Sequence, residues 1–534
     1  MTQRKYGGHS YSLKFFLWLL LVTAQSCSTT QNPQSAEELN DQAQKYYTDG
    51  RYSEAEPLFK QALAIREKTL GPDHPNVATS LNNLAENYRV QGKYADAEGL
   101  YRRGLAILES AHAQDQAKVA MALNNLAVLH RDLGRYAEAE SLLKRSSSIM
   151  EQQLGPDNPN VATSLSNLAD LYRIQGRFSA AEPLYKRALA IDERALGKEH
   201  PKVGTDLNNL GALLRDRGRY SEAEPLYRQA LAIHERTFGR QHPSVAVSLN
   251  SLATLHRDKG QYAESESLYR QAIDVNERVL GRDHPNVATS VISLAELYRE
   301  LGKFDEALPL YRRGVESIEK VLGPEHPTLG SGLIDMSKLF RGQGDYAEAE
   351  KLIKRSLAIF QKGGFNPAGA LNNLASVYTL QGKYSQAEPL YKEALKIREK
   401  TLGPDHPRVA ETLNDLAVLY DSQGKSTEAE KLYKRALAVD EKVYGPDHPT
   451  VAIDLNNLAV LHEKRKNYKE AEQLYQRALS IWEKTLGPDH MYVANGLEGY
   501  ASLLRATNRE AEASKLNDRA KTIRRRYAQQ SVAK

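Results

Sequence analysis

The feature that most constrains this chain is a self-repeat with a nearly fixed step. The string L-N-N-L-A begins at Leu81, Leu123, Leu207, Leu371 and Leu455, and close variants begin at Leu39, Leu165, Leu249, Val291, Leu333, Leu413 and Leu497. Neighbouring starts lie 42 residues apart except between Leu333 and Leu371, where the step is 38. A period of this length marks arrays in which one unit cannot bury its apolar face alone and must stack on its neighbours. The twelve units run from about Ala36 to about Tyr527 of 534 residues, so no separate catalytic domain is expected. Composition then makes sense: 29 Tyr against 9 Phe and 2 Trp is what one template, copied, produces. A single cysteine excludes a disulfide scaffold. With 72 basic and 67 acidic residues the net charge is +5, which gives no general case for a nucleic-acid binder.

Within a unit the period is helical. Val77 to Gln91 places Leu81, Leu84, Ala85 and Tyr88 at i, i+3, i+4 and i+7, the apolar stripe of an amphipathic helix. Gly92 breaks it, and Tyr94 to Leu108 resumes the period through Ala97, Leu100, Tyr101, Gly104 and Leu105. Ser53 to Glu56, Ser221 to Glu224 and Thr427 to Glu430 read as capping boxes at the start of second helices. The run L-G-P-D-H-P ends a unit: Gly71 suits the position after a helix end, Pro72 cannot continue the helix, and Pro75 suits the first turn of the next.

These residues resemble the tetratricopeptide repeat in its 42-residue, kinesin-light-chain-like form. That motif needs small residues where its helices approach closely. Ala, Gly or Ser stands at all thirty-six such sites, for example Ala85, Ala97 and Gly104, then Ala127, Ala139 and Ser146, then Gly211, Ala223 and Ala230. The resemblance implies an all-α, right-handed superhelical solenoid of about twelve helix pairs, with tyrosines such as Tyr88, Tyr94 and Tyr101 packing the seams. It also implies that the first helices form a concave wall able to hold extended segments of other proteins.

On that wall two columns recur. Asn82, Asn124, Asn208, Asn250, Asn372, Asn414 and Asn456 form one row, and Asn83, Asn125, Asn167, Asn209, Asn373 and Asn457 stand beside it. An amide offers donors and an acceptor, so a ladder of amides can pair with an extended backbone whatever its side chains. Matching asparagines hold peptides in kinesin light chains, and the resemblance extends that role here; bonding to the neighbouring turn is the alternative. The second column is Arg89, Arg131, Arg173, Arg215, Arg257, Arg299 and Arg341. An arginine ladder can read carboxylates. Glu86, Asp132, Asp170, Asp216, Asp258, Glu296 and Glu300 lie close enough in sequence to neutralise it locally instead.

Eight histidines, His74, His200, His242, His284, His326, His406, His448 and His490, sit in the D-H-P turn, where Asn158 serves once. Spaced one per repeat they are turn residues, since metal ligands must converge to about 2 Å of one ion. No phosphate loop, H-E-x-x-H, cysteine pair or serine elbow occurs. No metal, cofactor, small-molecule substrate or enzymatic activity is expected, because twelve similar faces do not build one unlike cluster.

Ahead of the repeats, Arg4, Lys5 and Lys14 accompany an apolar stretch from Phe15 to Ala24, and small residues precede Cys27. Residues 1–26 read as an export signal. The segment resembles a bacterial lipoprotein signal, which implies acylation of Cys27 and tethering to a membrane; plain secretion and an uncleaved anchor are the alternatives. Residues 27–35 form a polar tether, 36–322 repeats one to seven, 323–370 an irregular repeat with a shortened loop and altered curvature, 371–527 repeats nine to twelve with a terminal cap, and 528–534 a tail. The expected function is a non-enzymatic scaffold in the cell envelope, outside the cytoplasm, binding extended or acidic protein segments. The alternative is a cytoplasmic, kinesin-light-chain-like cargo adaptor, which needs a heptad coiled coil that Met1 to Ser35 does not contain.

Overall fold

The computed structural model describes residues 33–110 and 116–532. The signal, Cys27 and the tether up to residue 32 lie outside the described residues. The described chain is all helical, from α1 (Pro33–Thr48) to α24 (Glu510–Val532), two helices per repeat. The first helix thus begins three residues inside the polar tether, and the last continues through Val532 in the tail. In the second repeat α3 (Pro75–Val90) and α4 (Tyr94–Ser110) lie within two residues of the sequence expectation. Among the described residues no helix is long and apolar enough to cross a membrane.

The small residues explain the pairing. All thirty-six lie buried, Ala85, Ala97, Ala127, Ala139, Ser146, Ala223 and Ala230 with no exposed surface. A methyl group or less at each crossing lets two helix backbones approach within one side-chain layer. The tyrosines fill what remains: Tyr101 is fully buried and its hydroxyl donates to Glu86 at 2.7 Å.

The turns differ from the sequence reading at one end of each pair. The second helices begin at Tyr52, Tyr220 and Ser426, with Arg51, Arg219 and Lys425 at the cap and no side-chain cap bond. The expected capping boxes therefore do not form. The chain closes the preceding helix with a backbone bond such as Lys93 N to Tyr88 O at 2.9 Å, and this tight reversal starts the next helix before the Ser or Thr is reached. Arg51 instead pairs with Glu54 and Lys60 with Glu56.

At the other end the histidine of the D-H-P turn is the cap. Its Nδ1 accepts the backbone N–H two residues on, at 3.1 Å in His74 and 3.2 Å in His200, and Asn158 Oδ1 does the same at 2.9 Å. Proline at the next position starts the helix without a missing donor.

The array coils on itself every six repeats. The turn at Gly92 in repeat two meets His326 at the start of repeat eight, whose Nε2 donates to Val90 O at 3.1 Å. The turn at Gly176 in repeat four meets repeat ten, with His406 Nε2 donating to Ile174 O at 2.9 Å. Gly50 meets His284, Gly218 meets His448 and Gly260 meets His490 in the same six-repeat register. Tyr94 with Phe365, Phe178 with Tyr444 and Tyr262 with Tyr527 pack ring on ring across the seam, with centroids 5.3, 5.6 and 5.4 Å apart. The shortened connection between α16 (Tyr346–Lys362) and α17 (Ala368–Leu380) sits within this seam through Phe365, and the register is six repeats on both sides of it.

Replacing Ala97 or Ala139 by Leu puts three extra carbons into a closed helix crossing. Each change is expected to lower stability by about 1–3 kcal/mol, read as an earlier midpoint in urea unfolding followed by circular dichroism.

Candidate functional site

First helices of successive repeats touch one another, α3 against α5 (Gln116–Asp132) and α5 against α7 (Pro159–Ile174), and among the described residues the second helices of successive repeats make no comparable contact. The first helices therefore occupy the shorter, inner circumference. The row most open to the lumen is Thr79, Met121, Thr163, Thr205, Val247 and Thr289, with Met121 38% and Val247 45% exposed.

The two asparagine rows lie beside it, none of them exposed. Much of the first row ties one repeat to the next. Asn208 Nδ2 donates to Ser248 Oγ at 2.8 Å, Asn250 to Ser290 Oγ at 2.8 Å, Asn414 to Asp454 Oδ1 at 2.7 Å and Asn372 to Asp415 Oδ2 at 2.7 Å. Asn456 is buried, Asn82 is half-buried, and the Oδ1 atoms of both lack a hydrogen-bond partner. In the second row Asn83 donates to Asn40 Oδ1 at 2.8 Å, Asn167 to Asn124 Oδ1 at 2.7 Å and Asn373 to Gly369 O at 2.9 Å. Asn209 keeps its Nδ2 without a partner, and Asn125 and Asn457 are half-buried. Three of these acceptors, Ser248, Ser290 and Asp454, belong with Ser80, Ser164 and Asp206 to a further polar column, which sequence reading passed over. It was legible as the polar residue preceding the L-N-N string or its variant in these six repeats.

The arginine column is an internal ladder. Arg89 grips Glu86 at 2.6 Å and reaches Asp132 of the next repeat at 2.5 Å, while Arg131 holds the other oxygen of Asp132 at 2.9 Å. Arg173 and Arg215 share Asp216 at 2.5 and 2.8 Å, and Arg215 and Arg257 flank Asp258 at 3.6 and 3.7 Å. Arg299 pairs with Glu296 at 2.8 Å. Burial works to raise the Asp216 carboxyl, and the two guanidinium groups override it and leave it below its ordinary value. Burial likewise opposes ionisation of Glu86, and Arg89 with the Tyr101 hydroxyl outweighs it.

Arg341 stands apart. Its Nη1 donates to Ser376 Oγ at 2.9 Å, and no carboxylate among the described residues forms an ion pair with it. The cause lies in two substitutions of the repeat pattern: Lys338 occupies the place of Glu86, and Leu380 the place of Asp132. Burial lowers this guanidinium, whereas its six column mates are all raised. Further along the wall Asp415 is pushed up to about 6 by burial and by Glu411. Lys338 bonds Asp335 at 2.6 Å, and Arg398 bonds Glu411 at 3.0 Å and Thr412 at 2.8 Å. No cluster of three or more metal-binding side chains occurs among the described residues.

Replacing Asp216 by Asn leaves Arg173 and Arg215 without their shared charge and is expected to cost about 3 kcal/mol, the lower end for breaking a buried pair. The carboxylates of this ladder are lowered in the folded chain, so their stabilisation is complete above the ordinary carboxyl range and lost as pH falls below it. Urea unfolding of wild type and Asp216→Asn at pH 7 and pH 3 checks both, with the difference between them shrinking in acid.

The family profile described as tetratricopeptide repeat matches residues 39–110, 118–194, 180–236, 204–277, 244–320, 290–362, 367–442, 422–481 and 455–526. No curated protein sequence matches the chain. Among solved structures, a putative kinesin light chain from Podosopora anserina, with nearly identical repeats, is 28% identical over 38% of this chain and 97% of its own, at a TM-score of 0.32. BtubC from P. vanneervenii is 22% identical over 44% of this chain and 91% of its own, at 0.34. A Rap protein complexed with competence and sporulation factor is 17% identical over 69% and 99%, at 0.47. With its repeats matched almost end to end and its thirty-six small sites buried at helix crossings, the chain belongs to the tetratricopeptide repeat family.

Proposed function

We propose that this protein is a non-enzymatic scaffold that holds extended segments of other proteins along its inner wall. The observation that carries the reading is the lumen-facing row from Thr79 to Thr289, flanked by amides, on a wall built from one repeated template. Repeated similar faces suit a long, featureless ligand such as a peptide backbone. Asn209, whose Nδ2 has no partner, and the half-buried Asn125 stand next to the open row. Preference for acidic segments is concentrated at Arg341, the member of the arginine column not paired with a carboxylate.

Export and tethering belong to the same proposal. The basic residues and apolar stretch before Cys27 support an address outside the cytoplasm, and the position of the chain's one cysteine supports acylation there.

Binding to an array of extended peptides is expected to fall at least tenfold when Asn125 and Asn209 are both replaced by Ala, with helicity unchanged. Equal binding would remove the inner wall from the reading. Arg341→Gln is expected to weaken acidic peptides and spare neutral ones. Cys27→Ala is expected to abolish lipid labelling and membrane association in fractionated cells, and unchanged fractionation would reduce the address to secretion.

A further inference from the structure

The D-H-P histidines fall into two structurally different sets. His74, His200 and His242 belong to the first coil, where their rings are half-buried or exposed. His284, His326, His406, His448 and His490 belong to the second coil, where each is only 4–8% exposed because the turn of an earlier repeat covers it. Sequence alone gives the two sets the same context.

At two of the seam histidines, His326 and His406, both ring nitrogens are hydrogen-bonded. Nδ1 of His326 accepts the Thr328 N–H at 3.1 Å and Nε2 faces Val90 O at 3.1 Å. His406 repeats the arrangement with Arg408 N at 3.0 Å and Ile174 O at 2.9 Å. An acceptor at one nitrogen and a donor at the other is the neutral ring with its proton on Nε2. A second proton has to go to Nδ1, where it displaces the helix cap while placing a charge in a buried seam. The seam has no slack for the ring to turn away: a Cβ on Gly92 would stand 2.8 Å from His326 Cδ2, and one on Gly50 2.6 Å from His284 Cδ2.

We propose that the seam between the two coils is an acid-released clasp, in which protonation of the seam histidines separates the coils and opens the inner wall. The groups facing these rings do not reverse the effect. Asp49 favours a charged His284, and Glu411 favours a charged His406; Arg89 opposes it at His326, as do Arg408 and Arg398 at His406. Burial outweighs all of them and holds His284, His326 and His406 down to about 4. His448 stacks on Tyr444 with ring centroids 4.2 Å apart, and His490 lies 5.1 Å from the Tyr492 ring with Tyr527 against the same turn. Because these folded values lie below the ordinary value of about 6.5, the clasp is complete above that pH. It weakens as pH falls from there toward about 4.

Neutralising substitutions separate this device from general acid unfolding. Asn158 already caps its helix without a titrating ring, so His284→Asn, His326→Asn and His406→Asn together retain the caps and remove the charge. Small-angle scattering of the full chain is expected to show the radius of gyration rising as the pH is lowered from about 6.5 toward about 4.5, while helicity by circular dichroism stays within a few per cent. In the triple variant the rise is expected to be at least halved. Dimensions of the wild type that stay constant across this range, or a triple variant that expands as much as wild type, would overturn the proposal. Should the triple variant fail to fold, Gly92→Ala with Gly176→Ala tests the same seam by steric means. It is expected to show the expanded dimensions at neutral pH, and unchanged compact dimensions there would also overturn the clasp.

Discussion

Everything in this structure depends on how closely two helices can approach when the residue between them is no larger than alanine. That approach fixes the crossing within each repeat, and because all twelve repeats keep it, small angular steps add up without drifting. The consequence appears far from any single crossing. Turns separated by more than 230 residues, such as Val90 and His326, meet at hydrogen-bond distance. A bulky residue at one crossing would displace its own helix pair and also every seam contact that depends on the accumulated angle.

The inner wall shows how polar residues can be numerous yet mostly spent. A buried guanidinium or amide must find a partner or lose stability, and the wall finds most of its partners in the adjacent repeat. Arg89 with Asp132 and Asn208 with Ser248 are bonds between repeats, so they hold the stack as the small residues hold the pair. Where the pattern lapses, a cation goes without a carboxylate. Lys338 and Leu380 stand where acids would be expected, and Arg341 between them keeps most of its donors.

The fold was legible because its causes are local and repeated. Leu81, Leu84, Ala85 and Tyr88 give the period, Gly92 gives the reversal and Pro75 gives the restart, each within a few residues of the structure it produces. The capping boxes misled because Ser53 matches the motif locally while the turn at Gly50 and Arg51 has already started the helix. The amide rows were visible, but a helical wheel cannot tell Asn208, bonded to the next repeat, from Asn209, which is not. The histidines hid most, since G-P-D-H-P reads alike in His74 and His406, and only coiling of the whole array decides which ring is covered.

Two turns break the glycine rule. Lys466 and Asn508 hold positive φ, 61° and 62°, at the places where repeats one to ten carry glycine. A left-handed backbone with a side chain costs about 1 kcal/mol, and in the first coil the same positions at Gly218 and Gly260 have histidine rings where a Cβ would stand. Glycine at this turn thus meets two demands in the first coil, a left-handed backbone and room for a ring, and Lys466 and Asn508 show that the backbone alone does not require it.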